Sequence, residues 1–263
     1  MTGSEIALGA LIGFAAGLLS GLFGVGGGSV MTPAIAVMLA VPPLQAIATP
    51  LPVIIPTAAV GANNYRRAGR VDWRAVRLAV APGLLGAIFG AFAADWIDSR
   101  GASHGLLLLT AAIVGWESFR IIKGRDDAET PDRSGEHPGW QFAVTGLAAG
   151  LVSGLLGVGG GIVMVPVFTA LLGMPLKKAL GTSLCVMIPM VIPGTIIHSA
   201  LGNIDWAVAG ALALGVVPGA WIGSKLALAA RDRTLHIAVG SFLMAVAVAY
   251  GALELAHVAG WTK

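Results

Sequence analysis

Residues 16–33 read AGLLSGLFGVGGGSVMTP, and residues 149–166 read AGLVSGLLGVGGGIVMVP. Fourteen of these 18 positions are identical at a constant offset of 133. The same offset aligns Pro42 with Pro175, Ala46 with Ala179, Thr49 with Thr182 and Pro56 with Pro189. It then aligns Gly69, Asp72 and Trp73 with Gly202, Asp205 and Trp206, and Gly86 and Gly90 with Gly219 and Gly223. No gap intervenes, so the chain is an internal duplication with a period too long for a solenoid unit.

Composition places both copies in lipid. Of 263 residues, 56% are hydrophobic and 11% charged, and the mean hydropathy is +0.85. Soluble domains carry about 25% charge. The apolar runs reach about 20 residues, enough to cross about 30 Å of hydrocarbon. Without water the backbone must bond to itself, as a helix or a closed barrel. The runs are apolar all round rather than alternating, which indicates helices. The 38 glycines and 14 prolines suit close packing of membrane helices. The net charge of +3 does not indicate nucleic-acid binding, because the basic residues lie in short loops rather than on one face. One cysteine, Cys185, forms no internal disulfide and reads as a packing residue. Met31 and Met164 match across the copies and read as apolar filler.

Ten segments are expected, five per half: 5–23, 29–40, 44–63, 78–97 and 105–122, then 140–156, 162–173, 180–200, 206–227 and 234–256. The fold class is therefore all-α integral membrane, with residues 1–123 as the first repeat, 124–139 as a polar cytoplasmic linker and 140–263 as the second repeat. Cytoplasmic loops collect Lys and Arg. Arg66, Arg67, Arg70, Arg74 and Arg77 follow the third segment, whereas the equivalent loop of the second half has only Asp205. The next loop reverses this, with Asp95, Asp98 and Arg100 against Lys225, Arg231 and Arg233. The basic bias switches sides, so the repeats are expected to be inverted, with short broken or re-entrant helices and both termini periplasmic. Fourteen of the 16 basic residues then lie inside, all but Arg100 and Lys263.

The second and seventh segments are short, and each follows a glycine cluster: Gly24, Gly26, Gly27 and Gly28, or Gly157, Gly159, Gly160 and Gly161. Short, Gly/Pro-interrupted segments at matching places point to a transporter's binding site. Glycine lets backbone approach a ligand, and the first N–H groups of the following helix attract an anion. Tight helix packing through small residues is the competing reading. Hydroxyls accompany the turns: Ser20, Ser29, Thr32 and Ser153 beside them, and Thr49, Thr182 and Ser183 early in the third and eighth segments. They are candidate anion ligands, unless they bond to carbonyls of their own helices. His198 is the deepest ionisable residue and a candidate donor or relay. Glu117 is expected to pair with Arg120, and Glu254 and His257 to lie near the outer end. No cofactor or metal pattern is present, and the glycine cluster lacks the Lys and Ser/Thr of an ATP-binding loop.

These motifs resemble the sulfite exporter TauE/SafE family of membrane proteins. The resemblance rests on residues 17–33 and 150–168, on Ala46–Thr49 with its partner ALGTS at 179–183, and on Gly69–Trp73 with Gly202–Trp206. It covers essentially the whole chain. It implies transport of small sulfur-containing anions, such as sulfite, sulfoacetate or related sulfonates, across a bacterial inner membrane. A small-anion channel is the alternative. An intramembrane hydrolase using Ser153 or Ser20 with His198 is a distant third, because Tyr65 stands where the first repeat would need the histidine. The copies differ at Ser29 against Ile162 and at Pro50 against Ser183, which unsettles equal roles for the halves.

Overall fold

The computed structural model describes residues 3–100 and 132–231, together with isolated positions between 108 and 119 and between 233 and 252. The fifth and tenth expected segments, and with them Glu117, Arg120, Glu254 and His257, lie wholly or largely outside these residues. The described chain is helical and contains no strand. In order come α1 (Gly3–Phe23), α2 (Gly28–Met38), α3 (Pro43–Ala48), α4 (Pro50–Arg67) and α5 (Trp73–Asp98). A single 3₁₀ turn follows at Ser134–Glu136. Then come α6 (Gly139–Leu156), α7 (Gly161–Pro166) continued by a wider π turn (Val167–Leu171), α8 (Leu176–Ala200) and α9 (Trp206–Ala229).

Six stretches among the described residues are long and apolar enough to cross a membrane: Gly3–Phe23, Pro43–Arg67, Trp73–Asp98, Gly139–Leu156, Leu176–Ala200 and Trp206–Ala229. The segment expected as one helix over 44–63 is two, α3 and α4, meeting at Thr49. Pro50 has no N–H to give to Ala46, so the helix breaks there. Ser183 stands at the equivalent place in the second copy, and α8 runs unbroken.

Small residues set which helices touch. Gly13, Gly17 and Gly21 of α1 lie on the backbones of Leu212, Val216 and Ala220 of α9. Gly146, Gly150 and Gly154 of α6 lie on those of Ala79, Gly83 and Ala87 of α5. The two sets correspond residue for residue at the 133 offset, with the partners exchanged, as across an isologous two-fold interface. Both pairs run parallel. By contrast α4 and α8, which are copies of one another, run antiparallel: Gly61 faces Leu184 and Gly194 faces Leu51.

These pairings give two ends to the bundle. At one end α1 and α9 begin and α5 finishes; the Asp205 N–H donates to Thr49 Oγ1 at 3.1 Å, and Asn203 donates to Asp95 at 3.3 Å. Because α2 leads within four residues into α3, α1 and α2 form a hairpin that returns to this same end. At the other end α4 finishes and α5, α6 and α8 begin. There the Asp72 N–H donates to Thr182 Oγ1 at 2.8 Å, and Arg74 donates to the carbonyls of Gly135 and His137. This second end carries Arg66, Arg67, Arg70, Arg74, Arg133, Lys177 and Lys178 with Asp72, Asp132 and Glu136, and the first carries Glu5, Asp95, Asp98 and Asp205 with Arg100.

A side chain at the α1–α9 or α5–α6 contact has no room. Gly17→Leu and Gly150→Leu are each expected to destabilise the protein by about 3 kcal/mol or more, read as a lowered melting temperature in detergent. Gly210→Leu, on α9 with nothing within 4 Å of its missing Cβ, is expected to leave it unchanged.

Candidate functional site

Both glycine clusters lie at the centre of the bundle, against one another. A methyl group on Gly28 would overlap the Gly157 carbonyl and approach Val158, and one on Gly161 would overlap the Gly24 carbonyl and approach Val25. The turns 24–28 and 157–161 therefore pass side by side in opposite directions. They surround one pair of side chains. A Cβ on Gly26 would lie 3.0 Å from Met187 Sδ and 3.4 Å from Ile54, and one on Gly159 would lie 3.1 Å from Ile54 and 3.3 Å from Met187 Sδ. Ile54 and Met187 are themselves repeat equivalents, at the middle of the antiparallel pair α4 and α8.

Each turn ends by starting a helix. Gly27 (φ 77°) caps α2 and Gly160 (φ 75°) caps α7, in the left-handed region that a side chain strains. Neither cap supplies a side-chain acceptor, and neither first turn holds an acid. The leading N–H groups, Gly28 and Ser29 or Gly161 and Ile162, have no carbonyl within their helices to bond. Two positive helix ends thus point inward.

The hydroxyls divide into two groups. Thr49 and Thr182 accept from the N–H groups of Asp205 and Asp72, and Thr182 also donates to the Lys178 carbonyl at 2.7 Å. They tie loops to helices. Ser183 Oγ lies 2.9 Å from the carbonyls of Gly24 and Leu180 and secures the first turn. Pro50 cannot do this for the second. The hydroxyls of Ser20, Thr32 and Ser153 are buried and without a hydrogen-bond partner. Ser29 is buried in the first turn of α2.

His198 sits fully buried in the last turn of α8. Its Nδ1 lies 3.3 Å from Asn203 Nδ2, and its Nε2 has no hydrogen-bond partner among the described residues. Tyr65, its counterpart, donates to the Gly21 carbonyl at 3.0 Å. Ser153 and His198 are not hydrogen-bonded to each other, as a nucleophile and its base must be. The structure thus gathers the turn glycines, Ser29 and Ser183 in one region, and places Thr49, Thr182 and His198 in interhelix joints around it. Cys185 is half-buried on α8.

Residues 9–250 match the family described as "Sulfite exporter TauE/SafE". The chain belongs to this family. It is 29% identical over 239 residues to the "Probable membrane transporter protein YunE" of Bacillus subtilis, covering 83% of this chain and 86% of that one. It is 28% identical to a "Probable membrane transporter protein" of Xylella fastidiosa, over 92% of each chain. A similarly named protein of Methanocaldococcus jannaschii is 26% identical over 89% of this chain and 90% of its own. No solved structure matches the chain significantly. This TauE/SafE protein is accordingly a multi-pass membrane protein of a transporter family.

One feature gave no signal in the apolar pattern: an ionic cluster at the basic end. Lys178 Nζ lies 2.9 Å from Asp72 and 2.6 Å from Asp132, and Ser134 bonds both carboxylates. Gln45 replaces the lysine in the other copy, so the opposite end lacks this cluster. Partial burial pushes Asp72 upward. The Ala75 N–H, Lys178 and Ser134 outweigh it and hold the carboxyl below its ordinary 3.8. Asp132 is lowered too, its burial offset by Lys178 and Ser134. Carboxyls so depressed stabilise the fold above their unfolded pKa and lose that contribution as pH falls through the folded value. Between pH 7 and 3 the native protein is expected to lose about 1 kcal/mol more stability than Lys178→Met, a modest figure because the pair is solvated. Thermal melts across that range check this; parallel curves would contradict it.

Proposed function

We propose that this protein is a secondary transporter that carries a small sulfur-containing anion, such as sulfite, sulfoacetate or a related sulfonate, across the bacterial inner membrane by alternating access. The observation that carries the reading is the meeting of two positively polarised helix starts, each without a side-chain cap, where the glycine turns cross. Paired broken helices of this kind are where transporters hold substrate. Among the described residues no Lys or Arg lies around the crossing, so charge compensation falls to backbone dipoles, which suits a small anion. The family description supports a sulfur oxyanion.

In this reading Gly24, Gly26, Gly27, Gly28 and Ser29, with Gly157, Gly159, Gly160 and Gly161, form the binding region. Thr49, Thr182, Ser183 and His198 hold it in place. Residues 1–123 and 140–263 act as inverted repeats, supported by the antiparallel α4 and α8 and by the exchanged contacts of α1 and α6. The end rich in arginine faces the cytoplasm with the 124–139 linker, and both termini are periplasmic, by the positive-inside rule.

In liposomes, the purified protein should drive sulfite or sulfoacetate uptake that saturates, needs no ATP, and shows counterflow against a preloaded substrate. Gly160→Leu should abolish it. Flux that rises linearly with concentration and lacks counterflow would indicate a channel, and no flux of either anion would sink the proposal.

A further inference from the structure

Hydroxyls in membrane helices ordinarily give their proton to a carbonyl one turn back. This chain does so repeatedly: Thr57 to Val53, Thr145 to Gln141, Thr195 to Val191 and Ser224 to Ala220, at 2.6–2.9 Å. Three fully buried hydroxyls do not, and bond to nothing among the described residues: Ser20, Thr32 and Ser153. Leaving a buried donor unsatisfied costs stability, so each such group calls for an explanation.

Their positions supply one. Ser20 and Ser153 are repeat equivalents in the last turns of α1 and α6, and their carbonyls receive the Gly24 and Gly157 N–H groups that begin the two glycine turns. The Ser20 Cβ lies 3.4 Å from where Gly27, the cap of α2, would carry its own Cβ. Thr32 stands on the second turn of α2. All three therefore flank the turns where the leading helix N–H groups have no acceptor within their own helices. Thr32 faces no counterpart hydroxyl, since Val165 replaces it in the other copy.

We infer that Ser20, Thr32 and Ser153 are the side-chain hydrogen-bond donors to an oxyanion bound at the glycine crossing. The inference rests on the anion-transport reading above and names the groups that grip the substrate. Hydroxyls approaching from α1, α2 and α6 suit a ligand with several acceptor oxygens, such as sulfite or a sulfonate head group. Thr182 and Ser183 already donate to the protein's own carbonyls, and the Thr49 oxygen already accepts from the Asp205 N–H.

Sulfite and sulfoacetate binding to the purified full chain would be measured by calorimetry, alongside melting temperatures without ligand. Ser20→Ala and Ser153→Ala should each weaken binding about tenfold or more, as expected for a lost hydrogen bond to a charged group. Their unliganded melting temperatures should stay level or rise, because an unsatisfied donor is removed. Ser20→Cys, with a weaker donor of similar shape, should fall between. Thr182→Val, whose hydroxyl is engaged, should instead melt lower. Unchanged affinity in both alanine variants would overturn this inference and leave the transport reading intact. A wild-type chain that binds neither anion would overturn both.

Discussion

Two stretches of backbone cross at the centre of this protein at a distance that no side chain permits. Gly28 rests on the Gly157 carbonyl and Gly161 on that of Gly24. Everything else is arranged so that this crossing can exist. The glycine faces of α1 and α6 let those helices press onto α9 and α5 with almost no side chain between them, which brings the ends of α1 and α6 to the middle. Ile54 and Met187 fill the space around the crossing. In lipid, where apolar side chains gain nothing by leaving hydrocarbon, such close backbone contact is a main source of helix association. The crossing also creates a polar region in an apolar interior, because two helices start there without side-chain caps.

The two copies share this frame but not its details. Pro50 breaks the first copy's α3–α4 where Ser183 leaves α8 continuous, and only Ser183 can hold the opposing turn by its hydroxyl. Tyr65 bonds the Gly21 carbonyl, whereas His198 Nε2 has no partner among the described residues. At one end Lys178 binds Asp72 and the linker's Asp132, whereas the other end has Gln45. The ionic cluster makes the two ends chemically different: at one, charge ties Asp72 to Lys178 and Asp132, and at the other, neutral hydrogen bonds and Asp95 make the contacts.

Much of the architecture was legible because duplication and hydrophobicity are linear signals. Apart from the α3–α4 break, and with α7 taken together with its π turn, the described helices of the first copy begin and end within a few residues of the residues 133 further on, and the short segments after the glycines are there. The break at Thr49 was less legible, because Pro50 was visible but its consequence depends on backbone geometry. Partnering was not legible at all. Thr49 and Thr182 stand out as a matched pair, yet their hydroxyls serve Asp205 and Asp72, contacts 156 and 110 residues away along the chain. Ser20 and Ser153 stand beside the glycine turns as candidates in the sequence, but only the structure separates them, unbonded, from the engaged Thr182 and Ser183. Hydrogen-bond satisfaction is a property of three-dimensional surroundings and has no period to read.

The position of a bound oxyanion bears most directly on all this. Selenate offers a sulfur-oxyanion analogue whose selenium can be located by anomalous scattering in crystals of the protein. Selenium beside the 24–28 and 157–161 turns, with its oxygens about 3 Å from the Gly28 or Gly161 N–H, is the expected result. Selenium bound only among the arginines at the basic end, with the crossing vacant at saturating selenate, would show that the glycine turns are a packing device and that the substrate passes elsewhere.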